Sequence, residues 1–188
     1  MDYNFPEFHG FNKIARLSRD MIITEKIDGT NGLIYIDENN NIFAGSRNRW
    51  LWGSHLSSYM INNHGFGLWV KDNQTELLRL GKGYHYGEWW GKGIQRGYGL
   101  EEKLFSLFNV SKWEDADVRP LCCEVVPVLY KGIFSEEMIG NALMTLKEFG
   151  SKAAPSFMNP EGIIIYHVAA GVYFKKTILN DEKGKTNE

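Results

Sequence analysis

Cysteine is nearly absent. Cys122 and Cys123 are the only two, and they are adjacent. Neighbours on a strand point to opposite faces, which argues against a bond between them. With no C-x-x-C spacing, a structural zinc site lacks its ligands. So low a count suits a reducing compartment. Long hydrophobic runs are absent too, none approaching the roughly 18 residues of a membrane span. Met1-Asp2-Tyr3-Asn4 is not a basic stretch followed by an apolar one, so no secretory signal is expected. These absences together predict a soluble, cytoplasmic chain with no membrane partner.

Charge of one sign is also lacking. A net charge of −2 excludes a surface-wide electrostatic clamp for nucleic acid, although a local basic groove is compatible with it. There is no G-x-x-x-x-G-K-[ST] phosphate loop. Gly91-Lys92-Gly93-Ile94-Gln95-Arg96-Gly97 matches G-x-G-x-x-G only with one residue too many and no helical pattern after it. A nucleotide site in this chain must use another design.

What is present is an ordinary globular composition with abundant rings. At 188 residues and 43% hydrophobic, the chain can bury one core. Aromatics reach 14% and often flank glycine, as in Trp89-Trp90-Gly91 and Gly97-Tyr98-Gly99, which suits either a cleft with stacking surfaces or a β core. Residues 1–20 read as a lead-in segment. Strands are predicted at 21–28, 31–37 and 41–46, with the polar turn Asp37-Glu38-Asn39-Asn40-Asn41 between the last two. Helices are predicted over Ser54 to Asn62 and Gly67 to Leu80. Further strands follow at Tyr84 to Trp90, Lys103 to Val110 and, as one buried run, Leu121 to Tyr130. Ser135-Glu136-Glu137-Met138 opens a helix by a hydroxyl cap and early acids, and Gly150 ends it. The last strands are Gly162 to His167 and Gly171 to Ile178. With no repeat or linker, one α+β domain over 1–179, mainly antiparallel, is expected, followed by a polar tail over 180–188.

The richest stretch is Thr24-Glu25-Lys26-Ile27-Asp28-Gly29-Thr30-Asn31-Gly32. It sets a lysine at the end of a β-branched run, a carboxylate two residues on, and a glycine where the backbone can turn. A lysine amine attacks only when neutral, and at its ordinary pKa of about 10.4 roughly one in a few thousand is neutral at pH 7. Nucleophilic use of Lys26 therefore calls for neighbouring cations, a metal or desolvation.

Lys26-Ile27-Asp28-Gly29 heads five spaced elements. The others are Ser46-Arg47-Asn48, Tyr86-Gly87-Glu88-Trp89, Phe105-Ser106-Leu107-Phe108-Asn109-Val110, and Glu161-Gly162-Ile163-Ile164-Ile165 paired with Tyr173-Phe174-Lys175-Lys176-Thr177. Their order resembles that of the covalent lysine nucleotidyltransferases and, within them, the ATP-dependent RNA ligases. The resemblance spans about 20–178, and Thr30-Asn31 after the glycine looks like the RNA ligase branch.

The resemblance implies the nucleotidyltransferase (adenylation) domain of the ATP-grasp-like ligase type: mainly antiparallel sheets with flanking helices. It implies ATP as donor, AMP carried covalently on Lys26, and Mg2+ or Mn2+ near Glu161. Glu25 would lie near the adenine, with Asp28, Gly29 and Asn31 around the nucleotide, Asn31 toward the phosphate. Arg47 would contact ribose or phosphate, Glu88 would accept from a ribose hydroxyl, and Phe108 would stack on adenine. Asn109 stands where the family has an aspartate, so no carboxylate function is expected there. The family's paired lysines touch the α-phosphate; here they are adjacent, so only one can do so. Lys175 is favoured and Lys176 is the alternative. The loop bearing Lys92, Gln95 and Arg96 is expected at the substrate mouth, and His85 and His167 as packing residues. Partners would be nucleic-acid ends bearing 5′-phosphate and 3′-hydroxyl groups, RNA favoured. With no room for an OB-fold, weak strand binding or a helper protein is expected. The rival readings are a DNA nick ligase, an end-adenylating enzyme, or an inactive binding module of the same fold.

Overall fold

A computed structural model describes residues 6–54, 62–179 and 181–182. Residues 6–19 are exposed and carry no strand or helix, as expected of a lead-in. The strands are β1 (Asp20–Lys26), β2 (Thr30–Ile36), β3 (Ile42–Gly45), β4 (Trp50–Gly53), β5 (Gly83–Gly91), β6 (Lys103–Leu107), β7 (Glu124–Val125), β8 (Val128–Ile133), β9 (Gly162–His167) and β10 (Val172–Thr177). The helices are α1 (Phe66–Asp72), α2 (Gln74–Leu77), α3 (Val110–Trp113) and α4 (Glu136–Phe149), with a 3-10 turn at Leu78–Leu80.

These strands make two sheets, one ordered β10-β9-β1-β8 and the other β4-β3-β2-β5-β6-β7. Every pairing is antiparallel except β6 with β7. The chain crosses between the sheets at 27–29, from β1 to β2, and again at Val126 and Pro127, from β7 to β8. Each sheet buries its outer face under helices, following the period-2 alternation of its strands. Phe66, Val70 and Leu77 cover Ile34, Ile36, Trp89 and Phe105 of the larger sheet. Ala142, Leu143 and Leu146 of α4 cover Met21, Ile23, Ile163 and Ile165 of the smaller. The Ser135 side chain caps α4 by accepting from the Met138 amide, a contact worth about 1 kcal/mol. A third cluster, including Ile27, Trp90, Tyr98, Val110 and Val126, fills the junction where the chain crosses.

The structure departs from the sequence reading in several elements. Leu121 to Tyr130 is not one strand: β7 ends at Val125 and β8 starts at Val128, with Pro127 lacking the amide a continuous ladder needs. The strand from Lys103 stops at Leu107, because Asn109 accepts from the Lys112 amide and caps α3. Gly67 to Leu80 breaks at Asn73 into two helices and a 3-10 turn. Strand β4 lies where no strand was expected. The helix predicted over Ser54 to Asn62 falls mostly outside the described residues, as does the tail apart from Asp181 and Glu182.

Candidate active site

Strand β1 ends on Lys26, and the turn that follows is held at each residue. Ile27 is buried in the junction. The Asp28 amide donates to the Tyr98 hydroxyl at 2.8 Å, and its carboxylate accepts from Arg96 Nε at 2.8 Å. The Gly29 amide donates to Glu88 Oε1 at 3.0 Å. A Cβ at Gly29 would lie 2.5 Å from the Trp89 carbonyl oxygen, so only glycine lets the turn approach β5. Lys26 Nζ donates to Glu161 Oε2 at 2.5 Å, the two side chains being 23% and 15% exposed. Lys26 faces Gly162 across β1 and β9. A Cβ there would sit 2.2 Å from the Lys176 carbonyl oxygen, so glycine is also what admits β10.

Arg96 completes this frame. Besides Asp28, it donates through Nη1 to the carbonyl and the side-chain oxygen of Asn159, both at 3.0 Å. One guanidinium thus ties the turn after Lys26 to the loop before Glu161. Arg96 is therefore a tether rather than a group at the mouth; Lys92 pairs with Glu101 on the surface, while Gln95 lines the cleft.

The inner faces of the two sheets enclose a cleft of about 1380 Å³. It brings together Lys26, Asp28, Gly29, Asn31, Arg47, Glu88, Phe108, Glu161 and Lys175. Arg47 sits in the loop between β3 and β4, with no side-chain partner among the described residues. Asn31 lies directly opposite Glu88 on neighbouring strands, and its amide nitrogen is 3.5 Å from Glu88 Oε2, a weak contact. Burial pushes Glu88 up to about 7, with Glu161 and Asp28 adding to the rise and Lys26 opposing it. Phe108 follows β6 and is 39% exposed, whereas Phe105 is fully buried.

The adjacent lysines divide as strand geometry requires. Lys175 lines the cleft, and Lys176 pairs with Asp181 at 3.2 Å. Glu25 stands apart. Glu25 borders the cleft, but its buried carboxylate accepts from Ser151 Oγ at 2.6 Å and from the Lys152 and Ala153 amides at 2.8 and 2.9 Å. Burial raises its pKa and these donors oppose the rise. Its carboxylate anchors the loop after α4 and leaves little capacity for a base. His85 and His167 hydrogen-bond the carbonyls of Gly81 and Leu17 and are buried, as packing residues are. Both cysteines are free.

The match to known proteins agrees with this geometry. A model of the family described as RNA ligase matches residues 19–178. The chain belongs to the RNA ligase family. Among solved structures, a Naegleria gruberi RNA ligase variant with AMP and Mn is 17% identical, with a TM-score of 0.57 over 92% of this chain and 57% of that one. The same organism's RNA ligase with PPi gives 17% identity and 0.58 over the same shares. A variant with ATP and Mn gives 15% and 0.55, over 84% of this chain and 48% of that one. At such identities the likeness shows the fold, the expected α+β architecture of RNA ligase nucleotidyltransferases. This chain spans about half the length of those chains. Among curated proteins, none matches.

Membership of the RNA ligase family raises the question of a metal. Among the described residues no group of three or more His, Cys, Asp or Glu could hold an ion. Glu161 does keep one oxygen, Oε1, without a hydrogen-bond partner among those residues. Such a donor fits Mg2+ or Mn2+, which take one or two carboxylates together with water and substrate phosphate oxygens. No helix among the described residues is long and apolar enough to cross a membrane.

Proposed function

We propose that this chain is the nucleotidyl-transferring core of an ATP-dependent RNA ligase. The observation that carries the proposal is the Lys26–Glu161 contact, 2.5 Å long, at the floor of a cleft that also gathers Phe108, Glu88, Arg47 and Lys175. In the first step Lys26 loses a proton, its nitrogen forms a bond to the ATP α-phosphorus, and pyrophosphate leaves with the electrons of the broken bond. AMP is then joined to Lys26 as a phosphoramidate. Glu161 and the tethered turn aim the amine, which supplies the in-line geometry that phosphoryl-type transfer requires. Lys175 and Arg47 place positive charge where the α-phosphate gathers negative charge. Phe108 stacks on the base, Glu88 accepts from ribose, and Asn31 borders the phosphate side. Glu161 would hold the divalent metal through its free oxygen, and the metal when bound would offset phosphate charge.

The later steps follow from the same site. A 5′-phosphate oxygen attacks the lysyl-AMP phosphorus, Lys26 leaves, and the strand end carries AMP. A 3′-hydroxyl then attacks that 5′-phosphate, AMP leaves, and a phosphodiester closes. A 5′-phosphate and a 3′-hydroxyl RNA end are the substrates this reading names.

Intact-mass measurement after exposure to ATP with magnesium tests it. A gain of one AMP, mapped to Lys26 and released by pyrophosphate, is expected, and Lys26→Ala should lose the label completely. A GMP adduct from GTP instead would move the chain to capping-type chemistry. Label persisting on the Lys26→Ala variant would remove the nucleophile assignment.

A further inference from the structure

The cleft does not end at the nucleotide groups. On β5 the residues that share a face with Glu88 are Tyr86 and Tyr84, both more than half exposed. They line the far end of the cleft and lead out of it along the open face of the six-stranded sheet. Strand pairing sets Tyr84 beside Tyr35, Tyr35 beside Phe43, and Gly45 beside Trp50. The rings follow one another across four strands. Tyr35 and Tyr84 stack at 4.4 Å and 27°, and Tyr84 and Tyr86 are nearly parallel at 12° with centroids 6.3 Å apart. Phe43 and Trp50 continue the row at 5.8 Å.

This row is built. A Cβ at Gly45 would lie 3.2 Å from the Trp50 ring, so glycine is what lets that ring lie down on the sheet. Trp50 remains 45% exposed. A sheet face meant only for water carries polar or charged residues at alternate positions. Here it carries five rings, of which Tyr84, Tyr86 and Trp50 are about half exposed. Beside them, the guanidinium groups of Arg47 and Arg49 have no hydrogen-bond or ion-pair partner among the described residues, and Lys82 borders the same end of the cleft.

We infer that this aromatic face is a stacking platform for a single strand of RNA that leads its end into the cleft. Flat rings with cations alongside match the two faces of an unpaired strand: bases that stack and phosphates that need charge. A protein partner or a second copy would leave the unpaired arginines without a stated counterpart. The path is continuous with the nucleotide end, since the Phe108 amide donates to the Tyr86 carbonyl at 2.9 Å. Platform and nucleotide site are thus neighbours on adjoining strands. The platform's role in joining rests on the ligase reading, but its binding of RNA does not.

Anisotropy of a labelled, unstructured RNA of about a dozen nucleotides tests the site, since such grooves span roughly 4–16 nucleotides. Trp50→Ala and Tyr84→Ala should each weaken binding roughly tenfold. Tyr84→Phe, which keeps the ring, should bind like the parent and so reports on folding. Arg49→Ala should reduce the slope of log affinity against log salt by about 0.7. Trp50 lies outside the cleft, so Trp50→Ala should still gain AMP. Unchanged RNA affinity in the Trp50→Ala, Tyr84→Ala double variant would overturn the platform. So would a concentration-dependent dimer that Trp50→Ala dissolves without altering RNA affinity. If the parent gains no AMP while Trp50→Ala still costs RNA affinity, the ligase reading falls and the platform stands.

Discussion

The two sheets present different surfaces to the same cleft. The six-stranded sheet is backed by a dense aromatic core in which Phe105 touches Phe66 and Trp69 at ring distances of 5.1 and 5.6 Å. Its inner face offers rings and one half-buried carboxylate, Glu88. The four-stranded sheet offers charge: Lys26, Glu161 and Lys175. Its edge strand β10 is exposed along its length up to Thr177. In the proposed reaction, the groups that would hold base and sugar, Phe108 and Glu88, come from the packed six-stranded layer. On that reading Lys26, Glu161 and Lys175, which would handle phosphate together with Arg47 of the β3–β4 loop, come from a layer whose edge is open to water, where long cationic side chains can stay solvated before a ligand arrives. The chain passes between the layers at 27–29, and Lys26 stands at that crossing.

The strongest way to break this comparison is at β6 of the packed sheet and the residue that follows it. Phe105 and Phe108 are three residues apart, one fully buried and one 39% exposed. Phe105→Ala should cost roughly 3–5 kcal/mol of unfolding free energy, because the space it leaves is walled by other rings. Phe108→Ala should move stability by less than about 0.5 kcal/mol, as exposed positions do. It should instead weaken nucleotide binding roughly tenfold through the lost stacking surface. Denaturant melts and nucleotide titrations of both variants check this. If the two effects trade places, the packed sheet is not the recognition layer.

The charged sheet has its own internal control. Lys175→Ala should slow self-adenylation by about 100-fold, the cost of removing one preorganised group facing transition-state charge. Lys176→Ala should change it by no more than about threefold, since its ammonium makes an exposed pair with Asp181. Single-turnover labelling of the two variants compares them directly. Equal losses would mean that β10 contributes through its strand rather than through one ammonium.

Much of this was legible because strands alternate and the motif residues lie on strands or directly beside their ends. The parity that separates Lys175 from Lys176 follows from period 2 alone, whereas Phe108 was picked out by the family resemblance. What stayed hidden depends on contacts far apart in sequence. Nothing local marks Arg96 as the tether of Asp28 to Asn159, since it lies 68 and 63 residues from those partners. Glu25 sits in the most informative motif, yet its carboxylate is claimed by a loop 126 residues later. The break in Leu121 to Tyr130 did have a signal, Pro127, outweighed by the apolar run around it. The cap at Asn109 had one too, an Asn ahead of Val-Ser-Lys-Trp. Strand β4 was missed because Trp50-Leu51-Trp52 is too short a run to stand out, and only its pairing with β3 makes it a strand.

The subtlest test lies where the two layers meet. Glu88 belongs to the packed sheet but feels Glu161 and Asp28, and burial holds its pKa at about 7 against an ordinary glutamate value of 4.5. Folding therefore favours the protonated form. The stability this contributes is fully present below about pH 4.5 and is lost as pH rises through about 7. Glu88→Gln, neutral at every pH, should erase that slope and leave the protein about 1–3 kcal/mol more stable than the parent in mildly alkaline buffer. Nucleotide binding should move the other way. The ionised carboxylate is the stronger acceptor for a ribose hydroxyl, so parent affinity should climb as pH passes about 7, and the variant's should be weaker and flat. Thermal melts and nucleotide titrations across that range read both halves. A parent whose affinity is level through neutrality would show that Glu88 serves the Gly29 turn rather than the sugar, and the packed sheet would then recognise the base alone.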